Sequence, residues 1–466
     1  MVSKVKIISL LLLVSTLPLF GFGCKTTQNA EVAAVYKPIT LNWWGVWEDS
    51  ADVAQLITAY RTVHPNITIT YRKLRFEEYE KELTKAWLEK KGPDIFALPA
   101  SYLKKYKNII KPMPEVMKIP FVETTSGLNK KEVVTVQDVA GLTSKKVKEL
   151  FIDAVSEQTV IDDKVYGLPL NFDNLALYYN SDLLAAAKIP LPARTWKELL
   201  EQIPSLAVFD KEGNIKQAAI ALGTENNVPR ATDIVSLLMM QNGARMTDER
   251  GQAVFNMPPD KDSDFNPAQS ALQFYSSFIN PSKDSYTWSE KMPDALEQFT
   301  AGKLAYFIGY SYQWPIIKSR SPKLNVNIAP MLQVATESDQ EVNFADFWAQ
   351  TVYFGIPEAN IDPAWDFIKT VSTTSGVLKP YLEKVKRPTA LRALINDQMK
   401  VEEVEVFVNQ LLSSKSWYRG YRPEDAEQVM QDMIQQNNHS LTEEFTVEQL
   451  LQLIVSRLNK YLNSAE

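Results

Sequence analysis

The hydrophobic pattern after residue 38 switches between two periods. Residues 39–44 alternate apolar and polar side chains, as a half-buried strand does, and residues 67–71 do the same. Residues 52–63 and 76–90 instead repeat apolar side chains every three to four positions, which is the spacing of an amphipathic helix. A short apolar run at 94–98 follows Gly-Pro. This order of strand, helix, strand, helix and strand predicts a mainly parallel sheet with right-handed crossovers.

The same alternation returns along the rest of the chain, which indicates an α/β protein throughout. Further strands are predicted at 166–170, 175–179, 218–222, 304–308 and 352–356, and further helices from 195, at 232–241, 268–279, 296–301, 363–372, 401–412, 423–437 and 446–462. Residues 111–148 show the least regular pattern and are expected to form an excursion on the surface. The length of 466 residues exceeds what one hydrophobic core usually serves, so two lobes are expected.

Composition narrows the class of function. The chain is 45% hydrophobic and 23% charged, which is typical of a soluble globular protein. Its formal net charge of −6 disfavours a nucleic-acid partner, since that function favours a basic surface. One cysteine and two histidines allow neither an internal disulfide nor a Cys/His zinc site, so no metal and no cofactor is expected.

The first residues have the pattern of an export signal. Lys4 and Lys6 precede an apolar run over residues 7–22, and Gly23-Cys24 follows. The lone cysteine between small residues resembles a bacterial lipobox, although Gly21 stands where a leucine is usual. We therefore expect residues 1–23 to be a signal peptide, Cys24 to be lipidated, and residues 24–37 to be a tether. The alternative is a buried cysteine in an ordinary N-terminal helix.

Lipid chains on Cys24 would hold the protein at the extracytoplasmic face of the cell membrane. Removal of residues 1–23 would also remove Lys4 and Lys6. The mature chain would then carry a formal charge of about −8, from −6 minus 2.

Five segments, taken in order, resemble the extracellular solute-binding proteins of ATP-driven importers, in the group that includes maltose-binding protein. The third segment, Tyr-Gly-Leu-Pro-Leu running into Leu-Tyr-Tyr-Asn-Ser-Asp-Leu-Leu, is the most specific. The segments lie at 41–45, 92–98, 166–170 with 177–184, 299–306, and 354–357. Each is weak alone, but together they span most of the chain after residue 38.

This resemblance implies the two-lobed periplasmic-binding-protein fold of type II, in the α/β class, with a ligand cleft between the lobes. Lobe 1 would hold residues 38–168 and 345–385, and lobe 2 would hold residues 170–340 and 390–466. The resemblance also implies a monomer that closes on a small solute about a hinge near 168–171 and 345–351. The solute would then pass to the permease of an ABC importer at the membrane.

The predicted cleft residues lie in loops that follow the strands. They combine tryptophan and tyrosine with Asp, Glu and Asn, which suits a sugar: an aromatic ring stacks on the apolar face of a pyranose, and polar groups pair with its hydroxyls. Trp43, Trp196 and Trp365 fit a core better. The predicted ligand-binding residues are Trp44, Trp47, Glu48, Ser101, Tyr102, Asp173, Asn174, Glu225, Asn226, Trp288, Tyr310, Tyr312, Trp314, Asp346, Trp348, Trp417 and Tyr418.

Three alternatives stay open on the sequence. Asp173 and Glu225 are candidates for the acid and base of a surface glycosidase, although the chain lacks a Gly-x-Ser-x-Gly elbow, a phosphate loop and a dinucleotide fingerprint. The same fold also suits a non-transport adhesin or structural lipoprotein. Finally, aromatic and acidic residues together also suit a cationic solute, so a carbohydrate is the preferred ligand rather than the sole candidate.

Overall fold

The computed structural model describes residues 36–124, 132–259, 265–334, 341–418, 420–442 and 445–463. The predicted signal peptide, Cys24 and nearly all of the predicted tether lie outside these residues. Two α/β lobes, each built on its own sheet and core, confirm the predicted two-lobed fold class. Among the described residues, no helix has both the length and the apolar character needed to cross a membrane.

The sheet of lobe 1 has the order β2-β1-β3-β17-β4, and β9 also pairs with β17. The predicted parallel pairing is confirmed for β1, which runs parallel to both β2 and β3. β17 returns late in the chain and runs antiparallel to β3. The strands are β1 (Ile39–Gly45), β2 (Ile67–Lys73), β3 (Ile95–Pro99), β4 (Ile110–Lys111), β9 (Leu168–Pro169) and β17 (Trp348–Tyr353).

The helices of lobe 1 cover both faces of this sheet, so its strands are buried on both sides. Trp43 and Trp365 are almost completely buried in this core, as predicted. The helices are α1 (Ser50–Val63), α2 (Phe76–Leu88), α3 (Ser144–Leu150), α4 (Asp153–Thr159), α11 (Glu358–Thr373), α12 (Ser375–Val385) and α13 (Ile395–Gln398).

The sheet of lobe 2 has the order β12-β13-β14-β11-β15. β13 runs parallel to β14, whereas β11 is antiparallel to both of its neighbours. The strands are β11 (Ala176–Asn180), β12 (Val208–Phe209), β13 (Ile215–Ile220), β14 (Leu304–Gly309) and β15 (Val326–Ala329).

The helices of lobe 2 enclose a single large core, in which Trp196 is buried as predicted. Thr195 caps its helix through the backbone N–H of Glu198, at 3.1 Å. The helices are α5 (Ser181–Ala186), α6 (Trp196–Leu206), α7 (Ala231–Gln241), α8 (Pro267–Ser277), α9 (Ala295–Thr300), α10 (Gln313–Arg320), α15 (Pro423–His439) and α16 (Val447–Asn463).

Three stretches of chain cross between the lobes side by side. A small sheet joins β10 (Asp173–Asn174) to β16 (Asn343–Asp346), and β16 to β18 (Ser414–Lys415). Asp173 pairs with Asp346 in this sheet. Because β9, β10 and β11 follow one another, and β16 leads directly into β17, the first two crossovers coincide with the segments in which the hinge is predicted.

Two sequence predictions need correction. Residues 390–404 do not belong to lobe 2: Leu391 forms an antiparallel bridge with Phe151, and Leu394 and Val404 lie in the core of lobe 1. The short helix α14 (Glu405–Asn409) follows, and its Phe407 lies in the core of lobe 2. A hydrophobic pattern shows that these residues are buried but not which of the two cores buries them.

The second correction concerns residues 111–148, the predicted irregular excursion. Most of this part is a long antiparallel hairpin, β5 (Val116–Thr124) with β6 (Glu132–Ala140), and β7 (Val160–Ile161) with β8 (Lys164–Val165) forms a smaller hairpin soon after it. The long hairpin is fixed to α11, since the Nζ atom of Lys369 donates a hydrogen bond to the carbonyl of Ala140 at 2.6 Å.

Candidate functional site

A cavity of about 580 Å³ lies between the lobes and is bordered by the crossover strands. Its volume falls in the range of sites that enclose a small organic ligand, about 300–1,000 Å³. Ten of the predicted ligand-binding residues line it: Trp47, Ser101, Tyr102, Asp173, Tyr310, Tyr312, Asp346, Trp348, Trp417 and Tyr418. That they contact a ligand stays a prediction.

The wall formed by lobe 1 is aromatic. Trp47 follows β1 and stacks on Phe76 at the start of α2, with ring centroids 5.8 Å apart. Trp348 is the first residue of β17. Its ring packs edge-to-face with that of Trp47, with centroids 5.7 Å apart, and its centroid lies 5.9 Å from that of Tyr79. Trp47 and Trp348 keep part of their rings exposed. The wall therefore presents aromatic surface to whatever enters the cavity.

The two lobes meet across the mouth of this cavity. Trp47 of lobe 1 stacks on Tyr312 of lobe 2, with ring centroids 5.3 Å apart and planes 28° from parallel. Lys105 of lobe 1 forms ion pairs with Glu80 in its own lobe and with Glu424 in lobe 2. These contacts describe a closed arrangement, in which the cavity is bounded by both lobes.

Asp173 occupies a buried position at the first crossover. Its carboxylate accepts hydrogen bonds from the backbone N–H groups of Ser311, at 2.7 Å, and Tyr312, at 3.3 Å. It also forms an ion pair with Arg387 at 3.1 Å. Burial raises the pKa of Asp173, and the nearby guanidinium and N–H groups oppose that shift. Asp173 therefore positions the loop after β14 and is largely satisfied by the protein itself.

Arg230 is the centre of the second charged cluster. It precedes α7 in a left-handed conformation, with φ of 60°. Its guanidinium forms ion pairs with Asp233 at 2.7 Å and Asp346 at 3.2 Å, and lies 4.0 Å from Glu427. Tyr310 donates its hydroxyl to Asp233 at 2.6 Å, and the guanidinium of Arg230 lies 5.8 Å from the centre of the Tyr310 ring. One arginine thus organises side chains from three separate segments.

Arg230 and Arg387 were not predicted from the sequence, although both line the cavity. Each lies beside a helix end among ordinary polar residues, and charged residues in such places are usually solvated. The left-handed φ of Arg230 is the local feature that sets it apart, and it becomes visible only with the backbone. Asn171, Tyr79 and Glu427 also line the cavity without having been predicted to do so.

Trp44 and Glu48 do not line the cavity, contrary to prediction. Trp44 is buried in lobe 1, under the guanidinium of Arg72 at 4.8 Å, because helices cover both faces of the sheet. The carboxylate of Glu48 accepts hydrogen bonds from the Nδ2 atom of Asn171 at 3.1 Å and from the hydroxyl of Tyr381 at 2.9 Å. Glu48 therefore supports a cavity residue from behind.

Asn174 and Trp288 also lie outside the cavity, and both are fully buried. Asn174 donates hydrogen bonds from Nδ2 to the carbonyl of Phe407 at 2.9 Å and to Oγ of Ser414 at 3.0 Å, within the crossover region. Trp288 is in the core of lobe 2, where its indole N–H donates to Oδ1 of Asn227 at 3.0 Å. A loop position suggested exposure for Trp288, but the loop folds back over the core.

The remaining three predicted residues lie elsewhere in lobe 2. Glu225 and Asn226 form a hydrogen bond with each other at 2.8 Å in a loop that does not reach the cavity, and Asn226 is exposed. Trp314 packs beside Tyr178, with Lys318 over its ring at 4.7 Å. The predicted strand ends are real in both cases, but the side chains turn away from the cleft.

Comparison with known proteins identifies the family. A sequence model described as a bacterial extracellular solute-binding protein matches residues 55–400, which is well over half of the chain. The chain belongs to this family. The galactooligosaccharide-binding protein of Bacillus subtilis is 21% identical over 209 residues, or 44% of this chain and 43% of that protein. This chain covers less than half of the length of the curated relatives that it matches.

Solved structures extend the likeness to nearly the whole fold. The cyclic α-maltosyl-1,6-maltose binding protein of Arthrobacter globiformis superposes with a TM-score of 0.69 at 15% identity, over 91% of this chain and 99% of that one. The sugar-binding protein MalE of Xanthomonas citri gives a TM-score of 0.67 at 16% identity, over 90% and 98%. At such identities the likeness shows the fold, and it confirms the type II two-lobed architecture.

Proposed function

We propose that this member of the solute-binding family captures a carbohydrate between its lobes and delivers it to an ABC importer. The observation that carries the proposal is a cavity between the lobes whose aromatic walls face a set of carboxylates. Trp47, Trp348 and Tyr312 supply aromatic surface against which a sugar ring can pack, while Asp346 and Glu427 supply acceptors for its hydroxyl groups. Several relatives and structural neighbours bear the names of sugar-binding proteins.

The geometry disfavours the glycosidase alternative in its predicted form. Glu225 does not line the cavity, so it and Asp173 do not face one ligand. Asp173 is itself occupied by an ion pair and by two backbone N–H groups. Glycoside hydrolysis requires two carboxyl groups on opposite sides of one glycosidic bond. We infer that the chain binds its ligand without chemical change.

Lobe closure supports capture because it surrounds the ligand and excludes water. The stack of Trp47 on Tyr312 and the ion pair of Lys105 with Glu424 join the lobes only when they are closed. In solution, saturating ligand is expected to reduce the radius of gyration measured by small-angle X-ray scattering. An unchanged radius at saturation would refute closure, and release of a hydrolysed product from a panel of glycosides would refute binding without turnover.

The export and anchoring part of the proposal rests on Cys24, the single cysteine of the chain. Two or three lipid chains on one residue anchor a protein stably, because each buried methylene contributes to membrane affinity. Replacing Cys24 by serine is therefore expected to move the protein out of the membrane fraction or leave it as an unprocessed precursor. Normal processing and normal membrane association of the Cys24→Ser variant would exclude Cys24 as the anchor.

A further inference from the structure

The cavity wall holds more negative than positive charge. Arg230 faces three carboxylates, those of Asp233, Asp346 and Glu427. One positive and three negative groups give this cluster a formal charge of −2 (+1 minus 3) when all four are ionised. The second arginine, Arg387, is already paired with Asp173 and brings no spare positive charge. The described lining residues include no lysine.

Two of the three carboxylates have open acceptor positions. Asp233 is almost fully buried and accepts from both Arg230 and Tyr310. Asp346 accepts from Arg230 through one oxygen, and its side chain is 31% exposed where it lines the cavity. The side chain of Glu427 is 44% exposed, and its carboxylate accepts no hydrogen bond within the part of the chain that the structure describes. Asp346 and Glu427 lie at different nitrogens of the same guanidinium, so they border one region of the cavity.

This unbalanced charge is costly to the unliganded protein. Burial raises the pKa of Asp346 to about 6; Arg230 opposes the shift, while Asp233, Asp173 and Glu427 add to it. Burial also raises the pKa of Glu427. Arg230 lowers this pKa, whereas Asp233 and Glu424 raise it further. Closing the lobes over a neutral solute would remove water from both carboxylates without supplying a counter-charge.

We infer that the bound carbohydrate carries a positively charged amine, which lies between Asp346 and Glu427. This inference rests on the proposed function and specifies the class of sugar. An ammonium group is a compact charge with three donors and no acceptor, which suits two carboxylates that approach from different directions. Tyr102 lines the same cavity, and burial raises the pKa of its hydroxyl, with a further contribution from the negative charge of Glu427.

Calorimetric titration of the full chain tests the inference with matched ligands. The probes are glucosamine, galactosamine and mannosamine with their short oligomers, beside glucose, galactose and mannose with the corresponding oligomers. At neutral pH at least one amino sugar is expected to bind about tenfold or more tightly than its neutral parent, because hydrogen bonds between oppositely charged groups are stronger than neutral ones. A neutral parent that binds as tightly as its amino counterpart overturns the inference and leaves the proposed function standing.

Variants assign the preference to the named carboxylates. Asp346→Asn and Glu427→Gln are each expected to weaken binding of the amino sugar much more than binding of its neutral parent, so that most of the preference is lost. If Asp346→Asn folds poorly, Glu427→Gln still provides the test, because the carboxylate of Glu427 accepts no hydrogen bond from the described residues. Asp284→Asn, on an exposed loop of lobe 2, is the matched control and is expected to change nothing. A preference that survives both cavity variants contradicts the placement.

The pH dependence gives a second readout. A cation stabilises the ionised form of Asp346, so affinity for the amino sugar is expected to rise as pH increases through about 6. The groups that face Asp346 are Arg230 just before α7, Asp233 in the first turn of α7, Asp173 on β10 and Glu427 on α15. Binding near pH 6 is expected to release protons, visible as a heat that depends on the buffer. An affinity that is flat with pH, or one that rises equally for the neutral parent, overturns the inference. Failure of every saccharide to bind instead overturns the proposed function.

Discussion

Replacing Asp173 by asparagine is expected to lower the free energy of unfolding by about 3–5 kcal/mol, the usual effect of removing one partner from a buried ion pair. Asp173 is almost completely buried, and the change leaves the Arg387 guanidinium without its counter-charge. It also weakens the acceptor for the N–H groups of Ser311 and Tyr312. Denaturant unfolding monitored by circular dichroism measures the loss.

An exposed ion pair supplies the control for Asp173. Asp153 pairs with Arg392 at 2.9 Å, but the Asp153 side chain is 62% exposed. Asp153→Asn is therefore expected to cost less than about 1 kcal/mol. Adding Arg387→Met to Asp173→Asn should recover part of the lost stability, because it removes the unpaired buried charge. Equal losses for Asp173→Asn and Asp153→Asn would contradict the structural role of Asp173.

Replacing Trp288 or Trp348 by alanine is expected to change different properties: the first substitution lowers stability, and the second weakens ligand binding. Trp288 is fully buried in the core of lobe 2, so Trp288→Ala is expected to cost about 3–5 kcal/mol of stability. Trp348 is half-buried on the cavity wall, so Trp348→Ala is expected to weaken ligand binding by roughly 1–3 kcal/mol. The melting temperature of unliganded Trp348→Ala should stay close to that of the wild type.

Calorimetric titration and thermal melting of both variants separate these effects. A large fall in the melting temperature of Trp348→Ala, with unchanged affinity per folded molecule, would assign Trp348 to the core and remove it from the site. A Trp288→Ala variant of nearly normal stability would show that the lobe 2 core tolerates a cavity at that position.

Hydrophobic periodicity predicted many of the strands and helices of both lobes, because each of these buries a regular face. It also predicted that Trp43, Trp196 and Trp365 are core residues, which burial confirms. Periodicity could not assign residues 390–404 to a lobe, since apolar spacing shows that a face is buried but not in which core. That assignment depends on long-range contacts such as the bridge of Phe151 with Leu391.

Prediction of the site residues was limited in the same way, because a local sequence pattern does not report long-range contacts. Loop and crossover positions predicted for the site bring Trp47, Tyr312 and Trp348 to one cavity, because such segments converge at the cleft of this fold. The loop between helices that carries Trp288 instead folds over the core. Arg230 was not predicted, because it interacts with three carboxylates that are distant or unremarkable in sequence and meet only after folding.

The most direct test of carbohydrate capture is the melting temperature of the purified protein across a panel of neutral and amino saccharides. A ligand that binds the folded state alone raises the melting temperature as its concentration rises. A carbohydrate receptor is expected to show such a rise with at least one saccharide, which should be recovered chemically unchanged. A melting temperature that no saccharide in the panel raises would contradict carbohydrate capture and favour the adhesin or structural lipoprotein.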